Sequence, residues 1–474
     1  MKATRGAVVL LLGLAVLGAY AFTQQCIHGD AVTDLRTIGA GGPVWGLYVV
    51  GDGFFASAAL ASLAVGCVIR VLRLREIEGV ARMALPFGIA GLVASLGCVL
   101  ADLGRPMAAL VNLPLVGRPA SPFFGTFTLV AGASLVATLV HLALTNRPGW
   151  AQRAQAASRW PGLWRALACR WQDTASARQR RERVDFWLSL GLLPVLLGGL
   201  VILGVVFGVR AGRPAWQGRF GVVTFVVSGA AAGCSLLALA VHAHRRANLF
   251  MARTVAVLTA LAVLLVVSGE ILALRTPYLS VQRYAHALLE GPWSGLFWAE
   301  LVLFFLAGMI ALAMSLRKTV SLIGTATTAL LVCTAVSLER FLLLVAWQTH
   351  GLGLSWPAGV YRPTWVEWSV LAGVAAAAVL AFLSIAKVCP AGTEAATEAG
   401  DPAPADERRR LLVTALCLVG GFVLACGGLA LSAGLASAPF LDPILPGSPL
   451  VFLAGLLLMV AAALAYELIS ERPR

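Results

Sequence analysis

Of 474 residues, 59% are hydrophobic and only 12% are charged, with a formal net charge of +14; a soluble domain carries roughly 25% charged residues. That composition excludes a soluble enzyme and makes lipid the solvent for most of the chain. The positive charge does not indicate nucleic acid, because Lys and Arg fall in short segments between apolar runs rather than in one patch.

A spanning helix needs about 20 apolar residues, since every amide must be paired within its own segment. Such runs occur at 6–22, 44–69, 84–102, 123–145, 186–208, 220–242, 254–274, 293–316, 319–347, 365–387, 411–435 and 449–470, which predicts twelve transmembrane helices. The first run has a rival reading as a signal peptide, with Ala19-Tyr20-Ala21 as cleavage site; a retained helix is the expectation. With the amino terminus inside, most of the 36 Lys and Arg face the cytoplasm, above all those of the basic 146–184 loop, Arg153, Arg178, Arg180 and Arg181 among them. The positive-inside rule then puts both ends in the cytoplasm. The expected fold is an all-α, multi-pass protein of the bacterial inner membrane, with a ten-helix body over 1–387. A flexible cytoplasmic linker over 388–410, marked by Pro390, Pro402 and Pro404, leads to a two-helix transmembrane hairpin over 411–474.

Charges at membrane depth are costly, so each is a functional candidate. They are Asp52, Asp102, Glu270, Glu300, Glu339, Arg340 and Glu367, and counting from the nearest loop puts all of them in the periplasmic half. The cytoplasmic half shows no matching set. Arg340 needs a counter-charge, expected from Glu270, Glu300 or Glu367. Asp102 opens Asp102-Leu103-Gly104-Arg105-Pro106, where Gly104 and Pro106 stop the helix and bring a carboxylate to a guanidinium at the membrane surface. Aromatics at the outer helix ends, including Trp45, Tyr48, Trp298 and Trp365, suit an interfacial belt. The nine cysteines show no C-x2-C spacing; His28, His286 and His350 fall in outer loops, and His141, His242 and His244 at inner helix ends. Neither an iron–sulfur cluster nor a bis-histidine haem is expected in this chain.

Several stretches taken in order resemble the NrfD/polysulfide reductase family of quinone-interacting membrane subunits, in its HybB-like branch. They are Gly42-Pro43-Val44-Trp45-Gly46-Leu47 leading to Asp52; Ala101 to Pro106, followed by Asn112-Leu113-Pro114; Ser268-Gly269-Glu270; Leu296-Phe297-Trp298-Ala299-Glu300; Glu339-Arg340-Phe341; and Pro363-Thr364-Trp365-Val366-Glu367. The resemblance implies two four-helix bundles with flanking helices, and a site for menaquinone or ubiquinone near the periplasmic face. It also implies a ferredoxin-like iron–sulfur partner on that face, docked to a catalytic oxidoreductase subunit. On this reading Asp102 and Asp52 exchange protons, Asp102, Arg105 and Trp45 contact the quinone, and Glu270, Glu300, Arg340 and Glu367 form a proton route or structural ion pairs. A redox-inactive anchor of such a complex and a secondary transporter are the alternatives.

Overall fold

The computed structural model describes residues 2–35, 43–104, 124–155, 160–208, 221–349 and 361–389. Ten helices among them are long and apolar enough to cross a membrane: α1 (Lys2–His28), α2 (Leu47–Val71), α3 (Glu78–Asp102), α4 (Phe124–Gln155), α5 (Ala175–Gly208), α6 (Gly221–Ala240), α7 (Arg245–Leu274), α8 (Ser294–Leu316), α9 (Leu322–Phe341) and α10 (Trp365–Val388). They match the first ten predicted runs, and the protein is a multi-pass, all-α membrane protein. The 411–435 and 449–470 runs and nearly all of the 388–410 linker lie outside the described residues.

Helices α2–α5 pack as one four-helix ring and α6–α9 as a second, while α1 and α10 pair with each other along α3. Helix α2 joins the rings by touching α6 and α9 as well as α3 and α5. Its sequence explains that position. Small residues fill its middle, Ala56-Ser57-Ala58-Ala59 and Ala61-Ser62 among them, all buried, and small residues let backbones approach where lipid provides no hydrophobic drive. A Cβ at Gly91 of α3 would come within 2.8 Å of Ala59 Cβ, and one at Gly233 of α6 within 2.6 Å of the Ala58 carbonyl oxygen. Helices α1 and α10 meet in the same way, a Cβ at Gly18 lying 2.6 Å from Gly373 Cα.

Two expectations need correction. The 146–184 segment is not a plain loop: α4 runs on to Gln155, a short helix covers Pro161–Ala168 and α5 begins at Ala175. Ala, Arg and Gln are strong helix formers, so these turns continue into water after the apolar run has ended. The run at 319–347 is not one regular helix. After Phe341 it widens into a π turn over Leu342–Ala346 before a last α-turn, Trp347–Thr349.

Candidate functional site

Alternation of helix direction brings the predicted carboxylates to one end of both rings, here the acidic end. On the first ring, Asp52 sits in the second turn of α2, 6% exposed, and its Oδ1 accepts a hydrogen bond from Ser95 Oγ of α3 at 2.5 Å. Asp102, 8% exposed, closes α3. Gly104 then takes φ +64°, a left-handed value that glycine adopts without strain, and ends the helix beside Asp30. Gln25 of α1 ties the site together: its Nε2 donates to the Ala101 carbonyl at 3.1 Å, and its Oε1 accepts from Tyr48 Oη at 2.8 Å. Tyr48 is therefore not a belt residue but fully buried. Trp298 and Trp365 remain exposed, as a belt requires. Arg105 lies outside the described residues.

Trp45 stands half-buried at the entrance of α2, its ring 6.0 Å from Phe207, and Gln348 holds its backbone at both groups: Trp45 N donates to Gln348 Oε1 at 3.1 Å, and Gln348 Nε2 donates to Trp45 O at 2.8 Å. Glu367 does not enter an ion pair in the described contacts. It closes a capping box at the start of α10, its Oε2 accepting from Thr364 N at 2.9 Å and from Asp34 N at 3.1 Å, while Oε1 accepts from the Tyr361 hydroxyl. Tyr361 Oη in turn accepts from Leu47 N at 2.8 Å. Burial, reinforced by the charge of Glu367, pushes the Tyr361 phenol above its ordinary value, so it stays a neutral donor.

Arg340 is wholly buried where the two rings meet. Its ion-pair partner is its chain neighbour Glu339, Nη1 to Oε1 at 2.6 Å, and not Glu270, Glu300 or Glu367 as expected. Nη2 donates to the Phe225 carbonyl at 2.7 Å, and the guanidinium centre stands 3.5 Å from the centroid of the Phe225 ring. A Cβ at Gly53, the residue after Asp52, would lie 3.5 Å from Arg340 Cδ. The nearest opposite charge in sequence wins because the long Arg side chain must also reach an acceptor on α6. Glu270, Glu300 and Glu339 instead line a cavity of about 120 Å³ in the second ring, with Tyr284 and Phe297 in its wall. Glu300 Oε1, Glu339 Oε2 and Glu270 Oε2 are buried there without a hydrogen-bond partner. A space of that size accommodates several waters, each needing about 10–15 Å³.

The arginine-rich end also differs from expectation. A polar set joins α2–α5 there, with Arg70 and His141 buried and Glu78 and Asp185 partly exposed. Sequence reading missed it because each member sits near the end of an apolar run, where a charge ordinarily meets solvent. His286 is likewise on a short amphipathic helix, Leu279–Leu289, rather than in a loop. Ser95, Gln25, Gln348 and Tyr361 gave no advance signal, being ordinary residues whose roles arise from partners far away in the chain. Among the described residues, no three of His, Cys, Asp or Glu are grouped to hold a metal ion.

Comparison with known proteins agrees with this architecture. A Halobacterium salinarum protein, provisionally described as a membrane subunit of dimethyl sulfoxide reductase, is 26% identical, the match covering 84% of this chain and 95% of the relative. A selenate reductase subunit of Mesobacillus selenatarsenatis is 23% identical over 80% of this chain and 92% of its own length. Residues 38–350 match the family model for polysulphide reductase, NrfD, a span that takes in both rings. The chain belongs to the NrfD polysulphide reductase family.

Proposed function

We propose that the chain is the quinone-reactive membrane subunit of a respiratory oxidoreductase complex, held in a bacterial cytoplasmic membrane with its arginine-rich end inside. The observation that carries the reading is the gathering of Asp52, Asp102, Glu270, Glu300 and Glu339 at one end of an NrfD-family body. Quinone reduction consumes two electrons and two protons, and quinol oxidation returns them, so the headgroup needs acids in contact with water. Asp102 and Asp52 are the acids beside the headgroup, with Trp45 and Arg105 as its other contacts. The carboxylate-lined cavity, reached past Arg340 and Gly53, supplies a route to water on the same side. Electrons pass to or from an iron–sulfur partner of ferredoxin type docked on the acidic end and joined to a catalytic subunit. Support for such partners comes from the two relatives, described as subunits of dimethyl sulfoxide and selenate reductases.

The test is Asp102→Asn in the assembled complex. The substitution keeps size and hydrogen bonding but removes the exchangeable proton. Quinone turnover per partner-bound subunit is expected to fall at least about tenfold, with assembly retained, the lower part of what acid–base groups contribute. Lost assembly with normal turnover per complex returns Asp102 to a structural role. No quinone turnover in the unmutated complex would leave a redox-inactive anchor.

A further inference from the structure

The arginine-rich end carries a surface that has no part in the reading above. Residues 146–185 hold nine arginines against three acids, and two of those acids are already engaged. Asp173 meets Arg178 at 2.7 Å, and Asp185 meets Arg70 and His141. Arg165 and Arg170 are exposed, and among the described residues no carboxylate stands within ion-pair distance of either. Charge alone would make this an ordinary solvated surface. Its depth and its apolar neighbours make it something else.

The depth is set by contacts between α4 and α10. Trp150 Nε1 and Arg153 Nη1 of α4 both donate to the Val388 carbonyl at 3.0 Å, and Arg153 Nη2 donates to the Lys387 carbonyl at 3.0 Å. The Arg153 guanidinium also stands 5.1 Å from the centroid of the Trp164 ring, and Trp164, Leu167 and Ala168 pack with Trp150 in one apolar cluster. The short helix Pro161–Ala168 is thereby held level with the last turn of α10, at the end of the apolar run 365–387. Hydrocarbon gives way to lipid headgroups at that depth. Cys169 and Arg170 then take φ +47° and +58°, left-handed values that cost energy in a residue with a Cβ. The turn returns Trp171 to the same cluster and leaves Arg170 outside it.

Away from that cluster, Trp160 is 61% and Leu163 53% exposed, one turn apart and beside Arg165. Water would not favour the two large apolar groups, and the hydrocarbon core would not admit the two guanidiniums. The headgroup layer accepts both, the rings and aliphatic groups toward the acyl chains and the charges toward phosphate. Because the surface is joined to the ends of two spanning helices, lipid phosphate is the anion within reach. A guanidinium fork also matches two phosphate oxygens at once.

We propose that Trp160, Leu163, Arg165 and Arg170 form a binding site for anionic phospholipid in the leaflet at the arginine-rich end. Trp160 and Leu163 enter the layer beneath the headgroups, while Arg165 and Arg170 hold the phosphate. The site is independent of the quinone chemistry proposed above.

In the experiment, the full chain in detergent is given equimolar phosphatidylglycerol and phosphatidylcholine, and native mass spectrometry counts each lipid retained. Phosphatidylglycerol is expected to exceed phosphatidylcholine at least about tenfold, as two arginines at an anionic surface supply. Arg165→Gln with Arg170→Gln should lower that ratio at least about fivefold, whereas Arg180→Gln with Arg183→Gln, an equal loss of charge from α5, should leave most of it. No preference in the unmutated chain, or an equal fall in both double variants, overturns the site, the second by showing only a diffuse field. Leu163→Cys gives a second measurement, in bilayer discs of either lipid, with maleimide labelling at position 163 read by peptide mass. Labelling should be at least about tenfold slower in phosphatidylglycerol. Protection that ignores lipid charge would show that protein, the 411–474 segment or a partner, covers the helix instead, and equally rapid labelling in both lipids would show that nothing does; either result overturns the proposal.

Discussion

Arg340 answers to three groups at once: the carboxylate of Glu339, the carbonyl of Phe225 and the face of the Phe225 ring. A guanidinium suits this because its planar fork donates in two directions while its face stacks, which an ammonium cannot match. Arg340→Met leaves Glu339 without its buried counter-charge, a loss of about 3–5 kcal/mol when one member of a buried pair is removed. Thermal unfolding of the detergent-solubilised protein should show it as severe destabilisation, with Arg340→Lys intermediate; a loss under about 1 kcal/mol would show that the pair is not a lock. Tyr361 provides a second test, since it both accepts from Leu47 N and donates to Glu367. Tyr361→Phe leaves two polar groups unmatched and should cost about 1–3 kcal/mol. Turnover per assembled complex should be unchanged, and a drop there would place Tyr361 in the chemistry.

Among elements, the α1–α10 seam depends on glycine where the backbones touch. Gly18→Leu forces a side chain into Gly373 Cα, whereas a Cβ at Gly13 meets nothing within 4 Å. The Leu variant at position 18 should lower the unfolding midpoint and expose α1 to protease, with Gly13→Leu as a neutral control. Equal behaviour of the two would mean that α1 does not pack on α10. The existence and order of α1–α10 could be read from hydropathy alone, because lipid leaves the backbone no alternative to a helix. The ends could not. Hydropathy falls silent at the headgroups, so it missed the polar turns that carry α4 to Gln155 and start α5 at Ala175. The π turn within 342–346 was equally invisible, since Leu-Leu-Leu-Val-Ala reads as ordinary helix.

For the whole molecule, counting along alternating helices was enough to gather Asp52, Asp102, Glu270, Glu300 and Glu339 at one end, because direction alone decides it. Which of them meet was beyond that count. Arg340 took Glu339, and Glu367 became a cap, through contacts set by packing between rings and not by spacing along the chain. Orientation in the membrane is a prediction at this scale. Cys169 is exposed in the arginine-rich segment, so an impermeant maleimide applied to intact cells should spare it and label a cysteine engineered within 103–122. Preferential labelling of Cys169 would turn the molecule over.

The π turn also acts as a counting device. Arg340 and Gln348 stand on either side of it, one facing Phe225 of α6 and the other clasping Trp45 at the head of α2. A regular helix advances about 100° per residue, and a π turn is the trace of one residue added within such a helix. Rewinding the same residues of 342–346 as regular α-helix, with none removed, would swing the clasp away from Trp45 by about that angle, although every hydrophobic contact type survived. The chain thereby keeps two distant appointments, with the ring junction and with the entrance of α2, that one uninterrupted helix would have to choose between.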